Sequence, residues 1–526
     1  MGLLKWIIAT DQPTSVVETW EFRELLKGTS SITLDSSAAV ERRIYSMAKD
    51  IVDKEKDRLK VVRHMALSIH FWTPRVNHHP TTFVGITAQY TTVDGQLVER
   101  VLNFCEVKFD NSAVTNAIFK TVEMYKLKTK TVYFVLDNDP KSDLVVKELQ
   151  MRYTVTGTSF NILRLRLKSV EHSLHQAAQQ LARGLSPKIS DRVDESPSSD
   201  GDISTALNKL RLIIRHLNSQ PVQEREVIER TSAHRPTPGS STPLGLILDE
   251  DRLWLTTFKM MGMALRYPCA METIATEQRE LRMAKLSPAD WHSIGVATNC
   301  LAQFSSALKC TEVGLLSQLS SDPRARGSLL LYKLLDTQKS LAGWLKGVVT
   351  NAPHPSLASA LRDCHRTLLR HHSGPSSSPV YVWTFIFNPC VKLRGLLMGA
   401  AHRKELETIV QAWGELEQMI HDTYFPESLL KVYAARQELH RYVGLSLADP
   451  GCDAIAWWQV RLSLFPLLSP LALSILSILG NSVAGEHMAA LYRKTINLRR
   501  TNQRLGTGSL LTAVALLKQN PESFDK

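Results

Sequence analysis

Between residues 67 and 136 the apolar side chains alternate, or run in blocks too short for helices. Leu67-Ser68-Ile69-His70-Phe71-Trp72 is one such block. Val84, Ile86, Ala88 and Tyr90 alternate with Gly85, Thr87 and Gln89, the period-two signal of a strand. Asp94-Gly95 is a turn signal, so Gln96 to Phe104 reads as the returning strand of a hairpin. A further strand follows at Thr131–Leu136 and stops on Asp137-Asn138. An apolar strand that ends on a carboxylate can present that group as a metal ligand at a sheet edge.

The rest of the pattern is helical. Leu3, Leu4, Ile7 and Ile8 form a stripe, and Ser36 or Ser37 is placed to cap a helix through Ile44, Met47, Ile51 and Leu59. Leu144 to Met151 reads as a short helix, Phe160 to Leu167 as a strand, and Ile203 to Leu217 as a helix. Residues 186–204 and 233–243 are rich in Ser, Pro and charge and are expected to be loops or disordered. From Leu248 to about residue 445 helical spacing dominates, with a break at 371–378. The uncharged run Leu462 to Gly485 is long enough for a membrane span. Pro466, Pro470 and Asn481 make it a poor one, and a buried helix pair joined near Ser469-Pro470 is expected instead.

The chain has 526 residues, 44% hydrophobic and 22% charged, which suits a multidomain globular protein. A formal charge of +12 favours a polyanionic partner such as nucleic acid or an acidic membrane face. Seven scattered cysteines, never spaced C-x-x-C, read as thiols in cytosol or nucleus. His78-His79, Cys364-His365 and His371-His372 lack zinc-ligand spacing and read as solvated loop histidines.

Several ordered blocks resemble the hAT transposase superfamily. Trp72-Thr73, the hairpin and Asp137-Asn138 resemble its catalytic core. Ser169-x-x-His172 followed by Leu174 is similar to its Cys-x-x-His motif, with Ser in place of Cys. Leu248-Asp249 through Trp254 and Thr257 resembles its Asp-x-x-Thr-Arg-Trp-Asn-Ser-Thr motif, with Leu253 and Leu255 at the Arg and Asn positions. Trp457-Trp458, Phe465-Pro466-Leu467-Leu468-Ser469, Ser482-x-x-x-Glu486 and the Arg-rich turn at 499–504 resemble its C-terminal dimerisation region.

The resemblance implies an α/β architecture with a large all-α part: a ribonuclease-H-like sheet interrupted by a long helical insertion. Expected limits are a helical lead-in at 1–64, the first part of the core at 65–185, the insertion at 186–445 and the dimerisation region at 446–526. It also implies a nuclear homodimer that acts on DNA with two Asp and one Glu. Asp137 and Glu486 occupy two of those positions; His70 stands at the first Asp position, two residues before Trp72.

Such chemistry brackets the scissile phosphate with two divalent ions about 3.5–4 Å apart. Mg²⁺ or Mn²⁺ there requires oxygen ligands. A neutral imidazole offers nitrogen and no negative charge, and a protonated one repels the ions. Between Asp57 and Asp94 there is no Asp or Glu to replace it. Two readings stay open: a degenerate, non-cutting transposase-like protein with weak, sequence-indifferent DNA binding, or a domesticated DNA-binding or protein-interaction regulator on the same scaffold. The cations named for DNA are Lys120, Lys126, Lys128 and Lys130, with Arg493, Lys494, Arg499, Arg500 and Arg504.

Overall fold

The computed structural model describes residues 2–10, 12–26, 36–72, 81–92, 94–108, 110–155, 162–185, 200–219, 247–250, 253–317, 330–370, 377–400, 402–480, 513–514, 516–518 and 520. Five strands form one sheet in the order β3-β2-β1-β4-β5. They are β1 (His64–Trp72), β2 (Thr81–Thr91), β3 (Leu97–Lys108), β4 (Thr131–Leu136) and β5 (Arg166–Lys168). β1, β2 and β3 pair antiparallel, whereas β4 runs parallel to β1 and β5 parallel to β4. The mixed α/β fold expected from the pattern is thus present, with its hairpin where Asp94-Gly95 placed it. Gly95 sits at φ 76°, a conformation that glycine adopts without steric cost.

Alternation divides the sheet into two faces. Leu67, Ile69, Val84, Ile86, Phe134 and Leu136 are buried in one core with Val114, Ile118, Val145 and Leu149. The last four come from helices α4 (Asn111–Met124) and α5 (Pro140–Val155). Upstream, α1 (Gly2–Ala9), α2 (Trp20–Leu26) and α3 (Ser37–Lys60) form the helical lead-in. The Ser36 side chain caps α3 by accepting from Ala39 N. Leu4, Ile7, Ile8, Ile44 and Ile51 of the lead-in share a cluster with Ala513, Leu516 and Leu517.

Two expectations change. The stretch 160–167 is not one strand: Ile162–Leu165 forms a single helical turn, α6, before β5. Ile162 N donates to the Gln150 side chain at 2.7 Å, which ties the turn to α5 and leaves only Arg166–Lys168 to pair with β4. The run from 462 is not a helix pair either. Turns lead into one described helix, Leu468–Leu476, with Pro470 in its first turn, where no N–H is needed. The Glu438 carboxylate accepts from Leu467 N at 3.1 Å and Leu468 N at 2.8 Å, capping the helix start. Among the described residues no helix is long and apolar enough to cross a membrane.

The chain divides into two compact units. One holds the sheet and comprises Met1–Ser169, Ser317–Tyr332 and Gly374–Lys526; the other comprises Val170–Leu316 and Lys333–Ser373. Residues 170–185, which the family resemblance placed with the core, form α7 (Val170–Leu185) and cluster with the second unit. Leu174, Leu181 and Leu185 of α7 are buried there with Leu357 and Leu361. Residues 374–445, which the family resemblance placed with the insertion, cluster with the sheet. The expected loops at 186–199 and 233–243 lie outside the described residues.

His64, at the start of β1, is buried, and neither imidazole nitrogen has a hydrogen-bond partner among the described residues. Burial, helped by the charge of Arg63, holds its pKa down at about 4. The folded state therefore favours neutral imidazole. The stability this gives is present above the unfolded value near 6.5 and is lost as pH falls through 4. A shift of that size is worth about 3 kcal/mol. Denaturant melts of the wild type and His64→Leu across pH 7 to 4 should show a shallower acid loss in the variant by about that amount. Identical pH slopes would remove His64 from the acid sensitivity of the fold.

Candidate functional site

The parallel register of β1 and β4 runs from His64 opposite Thr131 to Ile69 opposite Leu136. One residue further along each strand come His70 and Asp137. They share the sheet face of Ser68 and Val135, on neighbouring strands whose spacing is about 4.8 Å. The structure therefore brings together His70 and Asp137, two of the sequence-predicted positions, at the carboxyl end of adjacent parallel strands. Both are half-buried.

The residues after Asp137 hold it in place. The Asn138 side chain donates to Ser169 O at 3.0 Å, and Ser169 N donates to Leu136 O at 3.0 Å. Asp139 accepts from Ser142 N at 2.8 Å at the start of α5. Asn138 and Asp139 are thus both spent on the backbone beside Asp137.

Sequence reasoning missed Arg166. Its side chain is only 10% exposed and pairs with the Asp143 carboxylate. It also donates to Asp137 O at 3.3 Å. A guanidinium fixed by Asp143 thus stands against the backbone carbonyl of Asp137. No pattern announces it, because β5 is three residues long and Arg166 meets β4 only on folding.

The face carrying His70 is also where the C-terminal chain returns. Gln89 donates to Ser68 Oγ at 2.8 Å, and Leu479 N donates to Gln89 Oε1 at 3.3 Å. Leu331 N bonds Ile478 O beside it at 2.8 Å. Glu486 follows seven positions after Leu479 and lies outside the described residues, as do Arg493, Lys494, Arg499, Arg500 and Arg504. Among the described residues no group of three or more His, Cys, Asp or Glu side chains could hold a metal. His70 and Asp137 do not fit a pair of hard divalent ions. One carboxylate, one imidazole and a neighbouring guanidinium supply neither the oxygen donors nor the negative charge.

Of the other expected residues, Trp72 ends β1 opposite Phe83. His172 sits half-buried in the first turn of α7 in the second unit. In the same unit Trp254 opens α9 (Trp254–Ala264), the ninth described helix after α8 (Ile203–Ser219). Its indole donates to His175 Nδ1 at 3.3 Å, and its backbone N donates to Gln179 Oε1 at 3.1 Å. Thr257 donates to Asp249 at 3.1 Å, and Asp249 accepts two bonds from Arg211 at 2.8 and 2.6 Å. The Asp249-to-Thr257 motif thus holds a buried ion pair. Arg211 was missed because it lies 38 residues upstream.

In the sheet-bearing unit Trp458 is fully buried and donates from Nε1 to Phe387 O at 2.8 Å. Trp457, half-buried, lies edge-on to it with ring centroids 5.1 Å apart. Both flank Tyr442. Lys392 inserts here: its Nζ donates to Tyr442 O at 3.1 Å, Leu445 O at 3.0 Å and Ser446 O at 3.0 Å. The ammonium stands 4.7 Å from the Tyr442 ring centroid, a cation–π contact that also caps the end of helix Leu429–Gly444. Burial, and then the charge of Arg461, lower its pKa. The cluster near Lys128 is likewise engaged. Lys128 pairs with Glu123, and Lys130 donates to Val62 O at 2.5 Å and Lys60 O at 3.3 Å. Cys364 is buried and Cys364-His365 sits on helix Pro355–Leu369, so that pair is not a solvated loop. His78-His79 and His371-His372 lie outside the described residues.

The sheet order and the strand-end Asp define a ribonuclease-H-like core with a helical C-terminal region. Residues 68–161 match the ZBED1 RNase-like domain, and residues 438–515 match the hAT family C-terminal dimerisation region. Over these two regions the chain is hAT transposase-like. It is similar to the zinc finger BED domain-containing proteins RICESLEEPER 2 and RICESLEEPER 1 of Oryza sativa subsp. japonica, each 23% identical over 310 residues. That stretch covers 57% of this chain and 39% of each relative, so the match spans about two-fifths of the length of these curated proteins. RICESLEEPER 3 of the same organism is 21% identical over 315 residues, 57% of this chain and 38% of the relative.

Proposed function

We propose that this chain is a non-cutting derivative of a hAT transposase that retains the fold, associates as a homodimer in the nucleus and binds DNA without reading its sequence. The observation that carries the reading is His70 level with Asp137, where the chemistry needs a shared carboxylate. Arg166 beside Asp137 supports it. Mg²⁺ or Mn²⁺ would serve only as residual cofactors, and no step is derived through them. The intact buried networks around Lys392 and Arg211 favour a second reading, a regulator domesticated on the same scaffold. Desolvated cations are costly to leave unpaired, so a sequence decaying without use would be expected to lose such partners.

Incubation of the purified chain with supercoiled plasmid and transposon-end duplexes in Mg²⁺ or Mn²⁺ should give no nicking above background. Nicking abolished by Asp137→Asn would contradict the reading. The homodimer has its own test. Trp458, Phe465, Leu468, Leu471 and Ile475 are buried within the chain, whereas Val460 is 74% and Leu464 48% exposed. Val460→Asp and Leu464→Asp should convert a sedimenting dimer to a folded monomer, while Trp458→Ala should cost about 3–5 kcal/mol of stability. A folded wild-type monomer at all concentrations would end the dimer assignment.

A further inference from the structure

The DNA reading above needs cations that are not already engaged, and Lys128 and Lys130 do not qualify. The second unit contains a better set. Helix Leu331–Thr350 and helix Pro355–Leu369, joined by residues 351–354, frame an open cleft of about 710 Å³. It is lined by Lys346, Val349, Arg362, His365, Arg366, Leu369 and Arg370. From residue 346 to 370 the chain carries four lysines and arginines (Lys346, Arg362, Arg366, Arg370) against one carboxylate, Asp363. Asp363 pairs with Arg366 at 3.1 Å, an exposed i,i+3 contact of little energetic weight. Among the described residues Lys346, Arg362 and Arg370 are in no ion pair.

We infer that this cleft docks the phosphate backbone of duplex DNA, an inference that rests on the DNA-binding reading and locates it. Arg362, Arg366 and Arg370 recur every four residues, the first two on the last turns of one helix and the third as its C-cap. Each step advances about 6 Å along the axis, a repeat that suits successive phosphates of one strand. Lys346 faces the cleft from the other helix. Guanidinium groups bind phosphate in a two-pronged geometry and stay charged at every working pH. Among the described residues the lining has no Phe, Tyr or Trp on which an unpaired base would stack, and its charged side chains are all cations. Contact to the phosphates of a duplex is the chemistry this set favours. Arg362, Arg366 and Arg370 are exposed, whereas the same helix buries Leu357, Leu361 and Cys364 on its other face, so the arginines can be changed without opening the core.

The test is fluorescence anisotropy with a labelled duplex and the full chain, comparing the wild type with Arg362→Gln/Arg366→Gln/Arg370→Gln and with Lys120→Gln/Lys126→Gln. Circular dichroism confirms that each variant is folded. The triple variant should lose about tenfold or more in affinity, and its log–log salt slope should flatten by about 3. The Lys120/Lys126 variant should stay near the wild type. A triple variant that binds like the wild type overturns the cleft and leaves the DNA reading standing. A wild type that binds no duplex at all overturns both. A wild type that prefers single-stranded DNA or an acidic peptide to duplex at equal salt overturns the duplex as occupant.

Discussion

The parallel pairing of β1 with β4 is the constraint on which the rest of the molecule depends. It is set by apolar alternation that only one register satisfies, because a slip of one residue would turn Leu67, Ile69, Phe134 and Leu136 away from α4 and α5. The same register carries His70 to the level of Asp137. The fold and the composition of its edge are therefore one fact: nothing short of breaking the core could move another side chain into the place of His70. The absence of Asp and Glu from residue 58 to 93 leaves no neighbour to take over.

The C-terminal region is tied to that sheet by polar contacts made deep in an apolar setting. Glu438 caps the helix that follows Leu467, and Lys392 caps the helix that contains Glu438. Gln89 then links β2 to Leu479. Each bond satisfies a backbone group that burial would otherwise leave costly. These ties bring the chain segment before Glu486 to the face of the sheet that holds His70 and Asp137. The ribonuclease-H-like core is thus joined to the C-terminal region up to its last described contact.

What could be read from the chain follows from how local each signal is. The hairpin, β4 and α3 were legible because period-two and period-3.6 patterns lie within single short segments, and Ser36 and Gly95 mark their ends. β5 was not, because three strand residues follow a helical turn that Gln150 anchors from outside. Asp137 and His70 were legible as candidates only through family resemblance; their adjacency required the register. Arg166, Arg211 and Lys392 were invisible for a common reason. Each is an ordinary basic residue in its own segment and acquires a role from partners 23, 38 and 50 residues away. Which unit α7 joins was not legible for a similar reason. The apolar stripe of α7 fits any core, and only packing against Leu357 and Leu361 decides which.

The central claim is that the paired strand ends cannot hold two hard cations. Titration of Mn²⁺ into the purified chain, followed by electron paramagnetic resonance, tests this directly when run beside His70→Asp and Asp137→Asn. The account predicts no saturable Mn²⁺ site that depends on Asp137 in the natural chain, and a gain of Mn²⁺ affinity in His70→Asp, where a second carboxylate joins Asp137. Two equivalents of Mn²⁺ bound by the natural chain and lost in Asp137→Asn would contradict it.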